Sequence, residues 1–192
     1  MEDKRDTKIQ ILDLAETLIK TKGYFGFSYR DIATQLNIRN AAIHYYFPGK
    51  EDLELAVIER EISRFRKWKD AIDHKVSCAG RLEGFIGIYR HHLNNRSAAC
   101  LVGASATVFS ILPARLREKA RELATALLSY LKALLDEGRE TGEFQFSGST
   151  GARASLITAS LAGGLQLAQV QGEAFFHTIA SEIISDLTHS NQ

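Results

Sequence analysis

Apolar residues recur in steps of three and four along almost the whole chain, and hardly any stretch alternates apolar with polar. A chain patterned this way buries one stripe per helix and has no sheet face to offer, so the expected fold class is all-α. Proline agrees: there are 2 in 192 residues, where average usage of roughly 5% would give about ten. Ile9, Leu12, Ala15, Leu18 and Ile19 make the first stripe, an amphipathic helix over residues ~5–22 that stops at Gly23. Ser28 is a suitable N-cap for a short helix containing Ile32, Ala33 and Leu36. After a turn at residues 37–40 a second short helix covers ~40–46, and Pro48-Gly49 ends it. A long helix begins near Lys50, and further helices are expected over ~78–94, ~97–110, ~114–140, ~150–171 and ~173–189.

Several function classes drop out early. Met1-Glu2-Asp3-Lys4-Arg5-Asp6 is densely charged and no apolar signal-peptide core follows it. The weakly polar stretches 101–112 and 154–170 carry Ser, Thr or Gln and fall short of the ~20 apolar residues that cross a bilayer. Cys78 and Cys100 are too few for a disulfide scaffold. The expectation is a soluble, cytoplasmic protein with no membrane partner. His91 and His92 are adjacent on a predicted helix, so they diverge by about 100° and cannot easily share one ion. His74 and Cys78 have i, i+4 spacing but no evident third ligand. Gly163-Gly164 follows no strand and precedes no Gly-Lys-Ser/Thr, His177 and His189 read as solvated or packed, and no hydrolase or metalloprotease motif occurs. No enzyme, no metal and no cofactor are expected.

Two short helices joined by a tight turn and braced by a longer one in front are the sequence form of a helix-turn-helix. Ala33 is small where the two must approach, and Ile38 and Ile43 close the little core. Net charge over the whole chain is only +1, so any basic surface has to be local. Between residues 17 and 50 the cations are Lys20, Lys22, Arg30, Arg39 and Lys50 and the only anion is Asp31, a net +4. Phosphate neutralisation supplies most non-specific DNA affinity, so this is the footprint of a nucleic-acid backbone. Tyr24, Phe25, Phe27, Tyr29, Tyr45, Tyr46 and Phe47 crowd the same window. Charge and periodicity alone also allow an aromatic mini-core with a solvated charged rim.

The order of residues is more specific. Gly23-Tyr24-Phe25-Gly26-Phe27-Ser28-Tyr29-Arg30-Asp31-Ile32-Ala33, then Leu36-Asn37-Ile38, then Ala42-Ile43-His44-Tyr45-Tyr46-Phe47-Pro48-Gly49-Lys50-Glu51-Asp52-Leu53, closely resembles the DNA-binding domain of the tetracycline-repressor (TetR/AcrR) family over residues 11–55. The resemblance implies a three-helix DNA-binding domain at residues 1–50 and a helical effector-binding and dimerisation domain at 51–192. It places the segment from Asn40 to Tyr46 in the major groove, with Arg30, Arg39 and Asn40 able to hydrogen-bond to bases and Ala41 and Ala42 limited to thymine methyls. Ser28, Tyr45 and Lys50 fall where phosphates are held, and Tyr29 and His44 complete the candidate DNA-binding set. The family commonly has Tyr where this chain has His44, and His where it has Tyr46. Asn37 occupies a turn position often filled by Gly, which fits because Asn tolerates a left-handed backbone.

The resemblance also implies a homodimer, a double-stranded operator and an effector. Its dimer interface falls on the last two helices, where Leu156, Ala159, Gly163, Leu167, Phe176, Ile179 and Ile183 form apolar stripes, with an intramolecular core as the alternative. Phe85, Tyr89 and Phe109 are candidate effector-pocket residues, although apolar residues at helical spacing also make plain core. Residues 99–104, Leu112-Pro113, Arg117 and residues 137–140 resemble the regulatory domain of a subgroup some of whose members sense electrophiles or oxidants. Cys100 matches the sensing position there, at an expected helix N-terminus with Arg96 one turn earlier. A buried, inert thiol is the alternative. The expected function is a DNA-binding transcriptional regulator, a ligand- or thiol-responsive repressor on a palindromic operator. An effector-independent DNA binder of the same fold, or a small all-α ligand-binding protein or enzyme, are the rivals.

Overall fold

The structure is a computed structural model that describes residues 4–72, 76–94 and 99–188. His74, Arg96 and His189 lie outside the described residues, as does the start of the helix expected over ~97–110. Nine α-helices occur among the described residues: α1 (Lys4–Lys22), α2 (Tyr29–Leu36), α3 (Asn40–Tyr46), α4 (Lys50–Asp70), α5 (Cys78–Asn94), α6 (Leu101–Ala106), α7 (Ala114–Glu140), α8 (Thr150–Gln171) and α9 (Glu173–Thr188). The all-α expectation holds. One element is shorter than the periodicity predicts, because α6 ends at Ala106 and a single 3-10 turn, Phe109–Ile111, follows it. The hydroxyls of Ser105 and Thr107 donate back to Leu101 O and Ala104 O. Such side chains compete with the regular helix, and Pro113 cannot extend it.

The described residues form two compact units, and α4 and α7 each contribute to both. The first unit comprises Met1–Phe65 with Leu101–Leu123. Its core gathers Ile11, Ala15, Ile19, Tyr24, Ile32, Ile43 and Leu53, all fully buried. Here α2 packs on α1 and α3, and α6 packs on α1. A charged clamp joins α1 to α4: Glu16 meets Arg60 at 2.5 Å, Arg64 at 2.7 Å and Lys20 at 2.5 Å.

The second unit comprises Arg66–Cys100 with Ala124–Gln192. The long hairpin of α8 and α9 packs on α5. Trp68, Tyr130, Phe85 and Tyr89 stack as an aromatic cluster, with ring centroids 5.2 Å apart for Trp68–Tyr130 and 5.8 Å for both Phe85–Tyr130 and Phe85–Tyr89. Arg81, buried on α5, forks onto Glu137 of α7 and also donates to Cys78 Sγ at 3.1 Å. Burial pushes the Cys78 thiol up, against the pull of Arg81. At Gly138 the Phe144 ring closes the turn after α7, and a Cβ there would stand 2.1 Å from Phe144 Cδ2, so only glycine fits.

The Glu16 clamp has a pH signature. Burial acts to raise the Glu16 pKa, but Lys20, Arg64 and Arg60 outweigh it and take the group from 4.5 to about 2. A carboxylate lowered on folding stabilises the native state above its unfolded value and loses that contribution as pH falls through the folded one. Urea unfolding of Glu16→Gln beside the wild type is therefore expected to show the wild type more stable at neutral pH. The gap should narrow between pH 4.5 and about 2.

Candidate nucleic-acid interface

The site is built by short-range backbone chemistry. Ser28 precedes α2 in extended conformation, and its backbone N–H and hydroxyl both donate to Asp31 Oδ2, at 2.7 and 2.6 Å. Those bonds from Ser28 hold the Asp31 carboxyl below the usual range. At the other end of α2, Asn37 adopts the left-handed conformation (φ 52°), and its N–H reaches Ala33 O and Thr34 O. The chain thereby turns sharply enough for Arg39, in extended conformation, to precede α3 as its N-cap residue. Ile43, fully buried, drives α3 onto its neighbours. Arg39, Asn40, Ala41, His44 and Tyr45 are exposed, as is Arg30 on α2, while Ala42 is half-buried.

Two side chains lock the segment that follows α3. The Tyr29 hydroxyl, on α2, donates its one proton between Phe47 O at 2.9 Å and Gly49 O at 2.6 Å. Burial, then the carboxylates of Asp52 and Glu54, push the Tyr29 phenol up to about 12. Lys50, the first residue of α4, sends its ammonium back to Tyr24 O and Phe27 O, each at 2.6 Å. That ammonium also sits 4.2 Å over the Phe27 ring and 3.6 Å from Glu54 Oε1. Glu54 is a buried carboxylate; burial raises it to about 7 despite Lys50, with Glu51 adding to the rise.

These positions change the reading of three residues. Lys50 falls where a phosphate contact is expected, but its ammonium closes the α1–α2 loop instead, because two backbone carbonyls and a buried carboxylate surround it. Tyr29 likewise fastens the end of α3, and the hydroxyl proton of Ser28 is committed to Asp31. Sequence reasoning missed Ser105 altogether. Its hydroxyl gives its proton to Leu101 O, so it accepts from the buried Tyr24 hydroxyl at 2.9 Å. Nothing at a separation of 81 residues announces such a pair.

In the second unit Phe85 and Tyr89 come together in the aromatic cluster, both buried, and the Tyr89 phenol is raised by burial and by the nearby Cys100. Cys100 is itself buried and immediately precedes α6. Phe109 belongs to the first unit, where Arg121 lies 4.8 Å over its ring. Leu156, Ala159, Gly163, Leu167, Ile179 and Ile183 line a groove of about 480 Å³ along α8 and α9. Leu156 and Leu167 stand 58% and 50% exposed there, and Val170, near the end of α8, is 80% exposed. Phe176 differs, being fully buried between its own helices, and so belongs to the interior of the unit and not to this face.

Residues 11–57 match the family of bacterial regulatory proteins called tetR, and residues 78–181 match the tetracyclin repressor-like C-terminal domain. A TetR-family transcriptional regulator from Agrobacterium tumefaciens superimposes with a TM-score of 0.86 at 26% identity, covering 97% of this chain and 100% of that one. A TetR transcriptional regulator from Legionella pneumophila does so with a TM-score of 0.83 at 31% identity, covering 94% and 97%. The fatty acid metabolism regulator protein of Bacillus subtilis is 27% identical over 146 residues, 76% of this chain and 74% of that protein. Among the described residues no helix is long and apolar enough to cross a membrane, and no cluster of three His, Cys, Asp or Glu side chains could hold a metal.

The Lys50 geometry separates a structural cation from a phosphate-binding one. Lys50→Met is expected to cost on the order of 2 kcal/mol of stability in urea unfolding, since two carbonyls lose a charged donor. DNA bound by the folded variant should keep the wild-type salt dependence, whereas losing a phosphate contact would reduce the slope by about 1 per protomer.

Proposed function

This chain belongs to the tetR family of bacterial regulatory proteins, and from that premise we propose that it is a ligand- or thiol-responsive repressor that binds a palindromic operator as a homodimer. Residues 1–50 form the DNA-binding part and residues 51–192 the effector-binding and dimerising part. The observation that carries the DNA-binding reading is the outer surface of α2 and α3. Arg30, Arg39 and Asn40 are exposed, and no hydrogen bond or ion pair among the described residues engages their side chains. Arg and Asn are the side chains that read guanine and adenine edges in the major groove. Ala41 and Ala42 leave room for a close approach and suit thymine methyls, and the 70% exposure of Tyr45 supports its role as a contact to the sugar–phosphate strand.

The groove on α8 and α9 is the surface for a second copy. Large apolar side chains left this exposed mark an association surface, and Ala159 and Gly163 permit close helix approach. A dimer sets two recognition helices at a fixed separation, which half-site spacing then matches. The effector acts in the region of Phe85, Tyr89 and Cys100. A ligand or thiol adduct that favours one arrangement of that region biases α6, whose Ser105 holds the Tyr24 hydroxyl. The Tyr24 carbonyl is in turn held by Lys50, so the bias reaches the helix-turn-helix as a difference in affinity between two conformations.

The test is an anisotropy titration against a duplex that the protein itself selects from a random-sequence library, run at two salt concentrations. Tight, salt-sensitive binding is expected, weakened by on the order of 1–3 kcal/mol in Arg39→Ala. Leu167→Glu should sediment as a monomer and bind far more weakly. Release by a thiol-alkylating agent from the wild type but not from Cys100→Ser would establish the thiol arm. Binding that neither alkylation nor a compound screen releases favours the effector-independent binder. Failure to select any duplex sinks the repressor reading.

A further inference from the structure

His44 stands exposed in the last turn of α3 with its Nδ1 3.1 Å from Pro48 O. A carbonyl oxygen only accepts, so Nδ1 carries the hydrogen of that bond. In the neutral ring Nε2 is then left with a lone pair and no proton. The ring is also held in place: the Tyr29 ring meets it edge-on, centroids 4.8 Å apart at 65°, and Tyr29 is itself fastened to Phe47 O and Gly49 O. Flipping the imidazole to offer a donor outward would break the bond to Pro48.

A DNA phosphate is an acceptor and nothing else. A neutral His44 would present a lone pair to it, and an imidazolium would present an N–H and a positive charge. Position favours the phosphate over a base, since the N-terminal residues of a recognition helix meet base edges and His44 lies at the opposite end of α3. The neighbouring charges leave the counter-charge to come from outside. On α2 the group against the ring is the Tyr29 phenol, a neutral group well above its usual range. On α4, Asp52 takes the Gly49 N–H and Arg115, and Glu54 is buried against Lys50. On α3 itself Tyr45 and Tyr46 face each other, and on α1 Lys8 lies 5.7 Å over the Phe47 ring. No ion pair to His44 occurs among the described residues.

We propose that His44 is a phosphate-binding cation created by the DNA: each protomer takes up one proton at His44 Nε2 from the solvent as it docks, and this proton bridges the imidazole to a backbone phosphate. The inference rests on the DNA-binding reading above. Proton uptake coupled to docking favours the complex at low pH, and the advantage is lost as pH rises. Imidazole is the side chain whose charge ordinarily changes between about pH 5 and 8.

The experiment measures affinity for the library-selected duplex across that window in the wild type, His44→Gln and His44→Tyr. Calorimetry in two buffers of different ionisation enthalpy counts the protons. The wild type is expected to weaken with rising pH by up to ~10-fold per pH unit for each proton taken up, and to absorb protons on binding. His44→Gln should lose both the slope and the proton uptake. His44→Tyr should bind with a flat profile and match or exceed the wild type at the alkaline end, because a phenol O–H donates to phosphate without a charge. Tight binding by the wild type with no slope and no proton uptake overturns the inference and leaves the DNA-binding reading intact. A slope that survives in His44→Gln also overturns it. Absence of binding at every pH overturns both.

Discussion

The ammonium of Lys50 is the contact on which the DNA-binding half depends. It belongs to the first residue of α4, yet both of its short hydrogen bonds reach backward, to the carbonyls of Tyr24 and Phe27 in the loop between α1 and α2. A carbonyl at a partly buried site needs a donor, and water cannot supply one freely under the Phe27 ring. One cation therefore closes three helices around α3, whose own seven residues are too few to hold a position by packing alone. Tyr29 acts in the same way on the far side, fastening the two carbonyls that follow α3. The orientation of the exposed Arg39 and Asn40 is thus set by backbone carbonyls that neither residue touches.

Tyr24 extends that arrangement. Its carbonyl accepts from Lys50, its ring is wholly buried, and its hydroxyl donates to Ser105 on α6. The same residue is held through its backbone carbonyl by Lys50 of α4 and through its side-chain hydroxyl by α6. In the proposed function, a change at Cys100, which directly precedes α6, would reach the Tyr24–Ser105 hydrogen bond through a few residues of chain. Packed contacts of this kind have discrete arrangements and not a continuum, which is what a two-state regulator requires.

The second unit divides its apolar residues between two uses. Phe85, Tyr89, Trp68 and Tyr130 pack into each other and hold α5 and the later part of α7 together. Leu156, Leu167 and Val170 stay outside, on a helix whose opposite side, Ile157, Leu161 and Leu165, is buried against α5 and α9. Helix α8 is therefore apolar on two faces, and the inner one alone does not account for its composition.

Much was legible beforehand. The 3–4 periodicity set the all-α class, Gly23, Ser28, Asn37 and Pro48-Gly49 marked the ends of α1, α2 and α3, and the residue order around them identified the family. These are local signals, because caps, turns and stripes act within a few residues of one another. The sequence also located the basic window and the exposed Arg30, Arg39 and Asn40. Lys50 could not be assigned, since a lysine that binds phosphate and one that binds carbonyls look alike until the loop is folded over it. The Tyr24–Ser105 bond, the burial of Phe176 beside an exposed Leu167, and the bond from His44 to Pro48 belong to the same class. Each depends on which face of a helix its neighbours cover, and that choice is made by tertiary packing across segments whose order along the chain does not encode their distance in space.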